Sequence, residues 1–148
     1  MGMAFSCEKY APETIDVEIK LVSDSDIEID TFKAGDTVFF KFYLINHLGR
    51  DVAYIRPTFE ILKYLKVHKR ENSGNYEYIG EPSVNFVLVS IIDSINDNET
   101  KLIGNVPVIS DFNWPEMGKG EYYVGDTLKL AIDDELHSFI SRIYFAVL

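Results

Sequence analysis

Thr37-Val-Phe-Phe-Lys-Phe-Tyr-Leu-Ile-Asn46 is a run of β-branched and aromatic side chains, apolar on nearly both faces. Such side chains pack well on a pleated surface, and a strand without a polar face belongs where layers cover it from both sides. Lys33-Ala34-Gly35-Asp36 before the run and His47-Leu48-Gly49-Arg50 after it are turn sequences. Residues 37–46 are therefore predicted to form a central strand.

Upstream, Ile15, Val17, Ile19 and Leu21 alternate with Asp16, Glu18 and Lys20, the period of a strand with one wet face. Ile27, Ile29 and Phe32 continue as a short second strand. Downstream, residues 83–92 hold the most apolar run in the chain and read as another central strand. Residues 127–132 and 139–147 complete the four firmest strands. Residues 52–55 make a short strand ending before Pro57, and residues 102–109, interrupted by Gly104 and Pro107, an edge or bulged one. Residues 58–67 are ambiguous. Ile61, Leu62 and Leu65 fit a helical face, but Thr58, Phe59, Ile61, Tyr64 and Val67 tilt the reading towards a strand. Residues 69–76 read as a polar hairpin tip, residues 93–100 as a loop, and residues 133–138 as one helical turn or a tight loop. No amphipathic helix is expected.

About eight to ten strands with frequent turn signals predict an all-β fold, an immunoglobulin-like antiparallel β-sandwich, with a β-barrel or jelly roll as the alternative. Residues 1–13, with Pro12, read as an N-terminal arm, and residues 14–148 as a single domain. Gly35-Asp36-Thr37 and Gly125-Asp126-Thr127 each open a strong strand. Such openings resemble those of immunoglobulin-like modules in surface and virion proteins, without identifying a family.

The 148 residues are 47% hydrophobic and 14% aromatic, with ten Phe and nine Tyr. That composition suits one packed core. The net charge of −10 disfavours phosphate backbones and anionic membranes, so neither nucleic acid nor membrane insertion is expected. No run approaches the ~18 apolar residues of a membrane helix, and no signal peptide is read in the sequence as written. Cys7 is the lone cysteine, which excludes an internal disulfide and a cysteine-rich zinc site; a trimmed lipoprotein anchor at Cys7 is the alternative to an incidental thiol.

No nucleophile elbow, phosphate loop or dinucleotide fingerprint is present, and His47, His68 and His137 lack metal-ligand spacing. His137 after Asp133, Asp134 and Glu135 reads as a solvated acidic turn, and residues 93–100 lack the glycine and spacing of a calcium loop. No catalytic residue, metal or cofactor is expected. Two groups are candidate binding residues. Phe112, Trp114, Tyr122 and Tyr123 supply aromatics for docking a protein or stacking on a sugar, although Trp114 is also suited to closing the end of the core. Lys63, Lys66, Lys69 and Arg70 form the sole basic cluster, and the first thirty residues hold eight acids, two features suited to complement each other between copies in self-association. The expectation is a non-catalytic structural or protein-interaction module, part of a virion or surface assembly, with a carbohydrate-binding module built around Trp114 as the alternative.

Overall fold

The computed structural model describes residues 14–85 and 90–148. The expected N-terminal arm and the apolar centre of the 83–92 run, residues 86–89, lie outside the described residues. The chain is mostly β, with sheets packed in a sandwich-like arrangement and, among the described residues, no closed barrel.

One layer is a three-stranded sheet. β3 (Val38–His47) is flanked by β1 (Thr14–Ser23) and β8 (Thr100–Pro107). The central strand read from residues 37–46 is thus β3, and its side chains alternate between buried and half-buried. Both neighbours are antiparallel to it, and β8 bulges opposite Phe42–Tyr43, as its Gly104 suggested.

The facing layer comprises two sheets. In one, β2 (Thr31–Phe32), β12 (Ile143–Val147), β9 (Gly120–Val124), β5 (Val67–Arg70) and β6 (Tyr76–Gly80) lie in that order. In the other the order is β11 (Glu135–Ile140), β10 (Thr127–Ile132), β4 (Val52–Ile55) and β7 (Ile92–Ile95). β2 and β12 pair in parallel, a departure from the purely antiparallel expectation. Phe40, Phe42, Leu21 and Val106 pack against Val67, Tyr122, Val124, Phe145 and Val147 in the larger core. Leu44 from the far end of β3 joins Val52, Tyr54, Ile95, Leu130 and Ile132 in a smaller one.

Several expectations are corrected. Residues 58–67 are not one strand. Thr58–Tyr64 is an α-helix, α1, that follows Pro57, carries Glu60 in its first turn and Lys63 in its last, and buries Ile61, Leu62 and Tyr64. Tertiary packing decides the matter. Ile61 sits where a Cβ on Gly104 would be, and the Tyr64 ring meets Phe42 edge-on at 5.6 Å. Of residues 133–138, read as one helical turn or a tight loop, only the first two form a tight turn and the rest are strand. Asp133 and Asp134 both take positive φ, 49° and 65°, in a two-residue hairpin turn, and β11 follows at once. Asp133 is fixed there by Arg50 and by the Ala53 amide, which donates to it at 3.1 Å. The strand read over residues 139–147 breaks at Ser141–Arg142 into the end of β11 and β12. Residues 83–85 and 90–91 are not strand, while β7 occupies residues read as the start of a loop.

The two sheets of the second layer are joined by one long hairpin. Ile132 pairs with Glu135 and Thr127 with Ile140 in one; Val124 pairs with Ile143 and Gly120 with Val147 in the other. The register crosses the break without slipping. At the joint, Gly125 has φ 132°, and a Cβ there would collide with the Ser141 carbonyl and stand 2.9 Å from both the Arg142 Cα and the Tyr64 hydroxyl. The Tyr64 hydroxyl in turn hydrogen-bonds the Ser141 carbonyl at 3.0 Å.

Gly125→Ala is expected to destabilise the fold by about 2–4 kcal/mol, since strain and overlap add at one position. Gly118→Ala, in open space, should stay within about 0.5 kcal/mol; denaturant midpoints of the two variants check the contrast. A second prediction concerns Asp93 at the β7 edge. The Ser94 amide, then Lys101 and Arg56, hold its carboxyl at about 2. A carboxyl whose folded pKa lies below its unfolded value of about 4 stabilises the fold above that value. That stabilisation is lost as pH falls from about 4 to about 2. Asp93→Asn should therefore flatten the fall in melting temperature across this window and leave the pH 5–7 profile parallel to that of the parent.

Candidate functional site: an aromatic row across the outer sheet

Strand alternation puts Val67, Tyr122, Val124, Phe145 and Val147 in the core. It sends the residues between them to the other face of the same sheet. Along that face Tyr144 of β12 pairs with Tyr123 of β9, Tyr123 with His68 of β5, and His68 with Tyr78 of β6. Four aromatic rings thus lie in one row across four adjacent strands, spanning about 14 Å at the usual strand spacing. The next row holds Ala146, Glu121, Arg70 and Tyr76 by the same pairings.

The rings touch. His68 stacks on Tyr123 at 4.3 Å and 6°, and Tyr144 meets Tyr123 at 5.4 Å. Tyr76 reaches across to both tyrosines, at 5.0 and 6.0 Å. The Arg142 guanidinium lies 4.5 Å from the Tyr123 ring centre. Each such contact contributes about 0.5–1.5 kcal/mol beyond area burial, so the cluster is stiff before anything binds. Tyr123, at the centre, is only 7% exposed, whereas Tyr144 and Tyr78 at the two ends are 53% and 50% exposed. The Tyr78 hydroxyl donates to Glu81 at 2.9 Å, and its pKa is raised by partial burial and by that carboxylate.

Ion pairs frame the row. Lys66 binds Asp126 at 2.7 Å, and Arg70 binds Glu121 at 2.6 Å. The hydrogen bond from Lys66 is the main reason the Asp126 carboxyl is held below its ordinary range. Two of the four residues read as a basic cluster are therefore neutralised within the chain. Lys69 lies over the Tyr122 ring, on the opposite side of the sheet from His68 and Arg70. Lys63 lies over Phe59 on α1. The four cations do not form one patch.

The aromatics picked from the sequence also separate. Tyr123 is the centre of the row. Tyr122, the residue before it, faces the core, stacks on Phe145 at 5.5 Å and donates its hydroxyl to the Gly118 carbonyl at 2.6 Å. Trp114 is half-buried, stacks on Phe40 at 5.6 Å and donates from Nε1 to the Pro107 carbonyl at 2.8 Å. Phe112 is half-buried against the same core. The loop of Phe112 and Trp114 thus closes one end of the larger core. Tyr144, Tyr78, Tyr76, His68 and Arg142 are not among the binding residues that the sequence suggests. Their signal is a register, not a motif: His68 and Tyr144 each lie one residue from a core position, on strands separated by about seventy residues of chain.

Among the described residues, no three His, Cys, Asp or Glu side chains are grouped as a metal would need, and no helix is long and apolar enough to cross a membrane. His47 contacts Asn98 and His137 lies 4.0 Å from Glu135, so the histidines stand apart. An apolar cleft of about 640 Å³, lined by Ile55, Phe59, Leu62, Pro82 and Val84, runs between α1 and residues 81–85 and reaches Ser90. No protein-family model matches the chain, and no curated protein matches it.

The centre and the end of the row should behave differently on truncation. Tyr123→Ala is expected to cost about 2–4 kcal/mol, because it opens a shielded site and removes four ring contacts. Tyr144→Ala, which removes two ring contacts at a half-exposed site, should cost less, about 1–2 kcal/mol. Chemical denaturation of the two variants under identical conditions measures the difference.

Proposed function

We propose that the chain is a non-catalytic, immunoglobulin-like protein-interaction module that docks a protein partner on the outer face of its five-stranded sheet. The observation that carries this reading is the row Tyr144–Tyr123–His68–Tyr78, with Tyr76 and Arg142 against it. Tyr and Arg are the residues that dominate interface energetics, since each offers a large contact area with a polar tip. A centre shielded by its own neighbours with half-exposed rings at the ends forms a preorganised surface, so little side-chain entropy remains to be lost on docking. Mixed charges at the border, Lys66 with Asp126 and Arg70 with Glu121, match the polar rim of such surfaces. The immunoglobulin-like assignment is supported by the layered, mostly antiparallel strands, with β2 added in parallel beside the last strand.

Carbohydrate binding is the second reading, and it rests on Tyr78 and Tyr144. Sugars stack on open ring faces. Those two rings have exposed area, whereas the Tyr123 ring is engaged by His68 and Arg142, and this favours a protein partner.

The test compares the parent protein with Tyr78→Ala/Tyr144→Ala and with Lys129→Ala, on the other sheet. Affinity capture from the native source and a glycan array are run on all three. A protein retained by the parent and by Lys129→Ala, but lost by the double variant while it still unfolds in a single cooperative transition well above the assay temperature, supports the reading. A glycan signal with the same dependence would establish the second reading, and partners held equally by all three proteins would refute both.

A further inference from the structure

We propose that β11 is a dimerisation edge: two copies of this chain pair their β11 strands antiparallel about a two-fold axis at Ser138, joining two four-stranded sheets into one. The edge shares only Arg142, at its margin, with the aromatic face, and the inference does not depend on that face.

β11 is the outer strand of its sheet among the described residues. The two-residue turn at Asp133–Asp134 makes Ile132 and Glu135 a hydrogen-bonded pair, and such pairs alternate along an antiparallel ladder. Glu135, His137 and Phe139 therefore direct their backbone groups to β10. Leu136, Ser138 and Ile140 direct theirs to the open edge.

The other edges are blunted in the ways that keep edge strands from pairing. β1 carries Asp16, Glu18 and Lys20 on its outer face, and the Asp16 carboxylate takes the Val17 amide at 2.8 Å. In β7, four residues long, Asp93 takes the Ser94 amide and Lys101 donates to the Ser94 carbonyl, each at 2.8 Å. β8 is bulged and ends in Pro107. β6 ends on Gly80 after a bulge opposite Val67–His68, and β2 is two residues long. β11, Glu-Leu-His-Ser-Phe-Ile, has no Lys, Pro, Gly or bulge. It exposes Leu136 and Ile140 to 67% and 80%.

The edge is complementary to itself. With Ser138 opposite Ser138 of the second copy, Leu136 faces the second copy's Ile140 and the reverse. Every edge-directed N–H and C=O of these three residues then gains a partner, and the two most exposed apolar side chains of the strand cover one another. Side chains also keep to their own face, as a pleated pair requires. The same register brings Asp134 to the level of Arg142 of the second copy at each end, opposite charges at both. On the first copy, Leu136 continues the outer row Ala131, Ile55 and Ile92, which is apolar throughout.

The experiment measures mass against concentration by sedimentation equilibrium for the full chain in a Cys7→Ser background. A reversible monomer–dimer equilibrium is expected. Ser138→Pro removes an amide that points out of the sheet, so it should abolish the dimer and leave the melting temperature nearly unchanged. Leu136→Lys/Ile140→Lys, which guards the edge without touching the backbone, should weaken it by at least about tenfold. Ser138→Cys should oxidise to a covalent dimer, since paired residues in this register lie about 5.5 Å apart, within disulfide reach. Lys129→Cys should not, being about 14 Å from its copy. A monomer at every concentration would overturn the proposal. So would a dimer indifferent to both edge variants, or one that forms only after residues 1–13 are deleted, which would make the arm the occupant of the edge.

Discussion

Gly125 stands where two β-segments, a helix and a strand break converge, and nothing larger fits there. A Cβ would run into the Ser141 carbonyl, the Arg142 Cα and the Tyr64 hydroxyl together, at a φ that only glycine adopts without strain. That single close approach lets one long hairpin, from Gly120 to Val147, bend between two sheets while keeping its register. The Tyr64 hydroxyl, brought by α1 and hydrogen-bonded to Ser141 at 2.8–3.0 Å, locks the bend from the inside. Fixing the helix, the bend and the two cores is thus one structural problem.

Both surfaces discussed above follow from the bend. Its base, β9 with β12, lies between β5 and β2, so Tyr123 and Tyr144 fall into line with His68 and Tyr78. Its tip, β10 with β11, joins β4 instead, and β11 is left on the outside. A slip of one residue between β9 and β12 would put Tyr123 and Tyr144 on opposite faces of the sheet, sending one of them into the core and Tyr122 or Phe145 out in exchange, because side chains alternate along a strand. The aromatic face is in this sense a property of register. It is preorganised by contacts among its own members, most of them made by Tyr123 at its centre.

Much of the fold was legible because it is written in periodicity. Residues 37–46 and 127–132 were read as strands from apolar runs and turn residues, and they are β3 and β10 to within a residue. α1 was hidden because seven residues are too few for a 3.6-residue period to separate from alternation. What decides it is Gly104 making room for Ile61, a contact across about forty residues of chain. The tight loop read over residues 133–138 is confined to Asp133–Asp134, and its two-residue length was not legible because neither residue is glycine, the usual mark of such hairpins. Arg50 and the Ala53 amide, far away in sequence, hold Asp133 instead. The candidate site was legible in one residue, Tyr123. Tyr122 beside it has the same chemistry and points the other way, and composition alone cannot separate two adjacent tyrosines on opposite faces. Only the pairing of β5, β6, β9 and β12 does so.

The measurement that bears most directly on this account is a nuclear Overhauser spectrum of cross-strand Hα–Hα contacts along the hairpin. Pairs that do not exchange hydrogen bonds approach most closely, and here they are Lys129 with Ser138 at the tip and Tyr123 with Tyr144 at the base. Strong cross-peaks for both pairs are predicted, in one register on either side of Gly125. A cross-peak between Tyr122 and Tyr144, or between Tyr123 and Phe145, would place the base one residue out of step, split the aromatic row between the two faces of the sheet, and contradict the account.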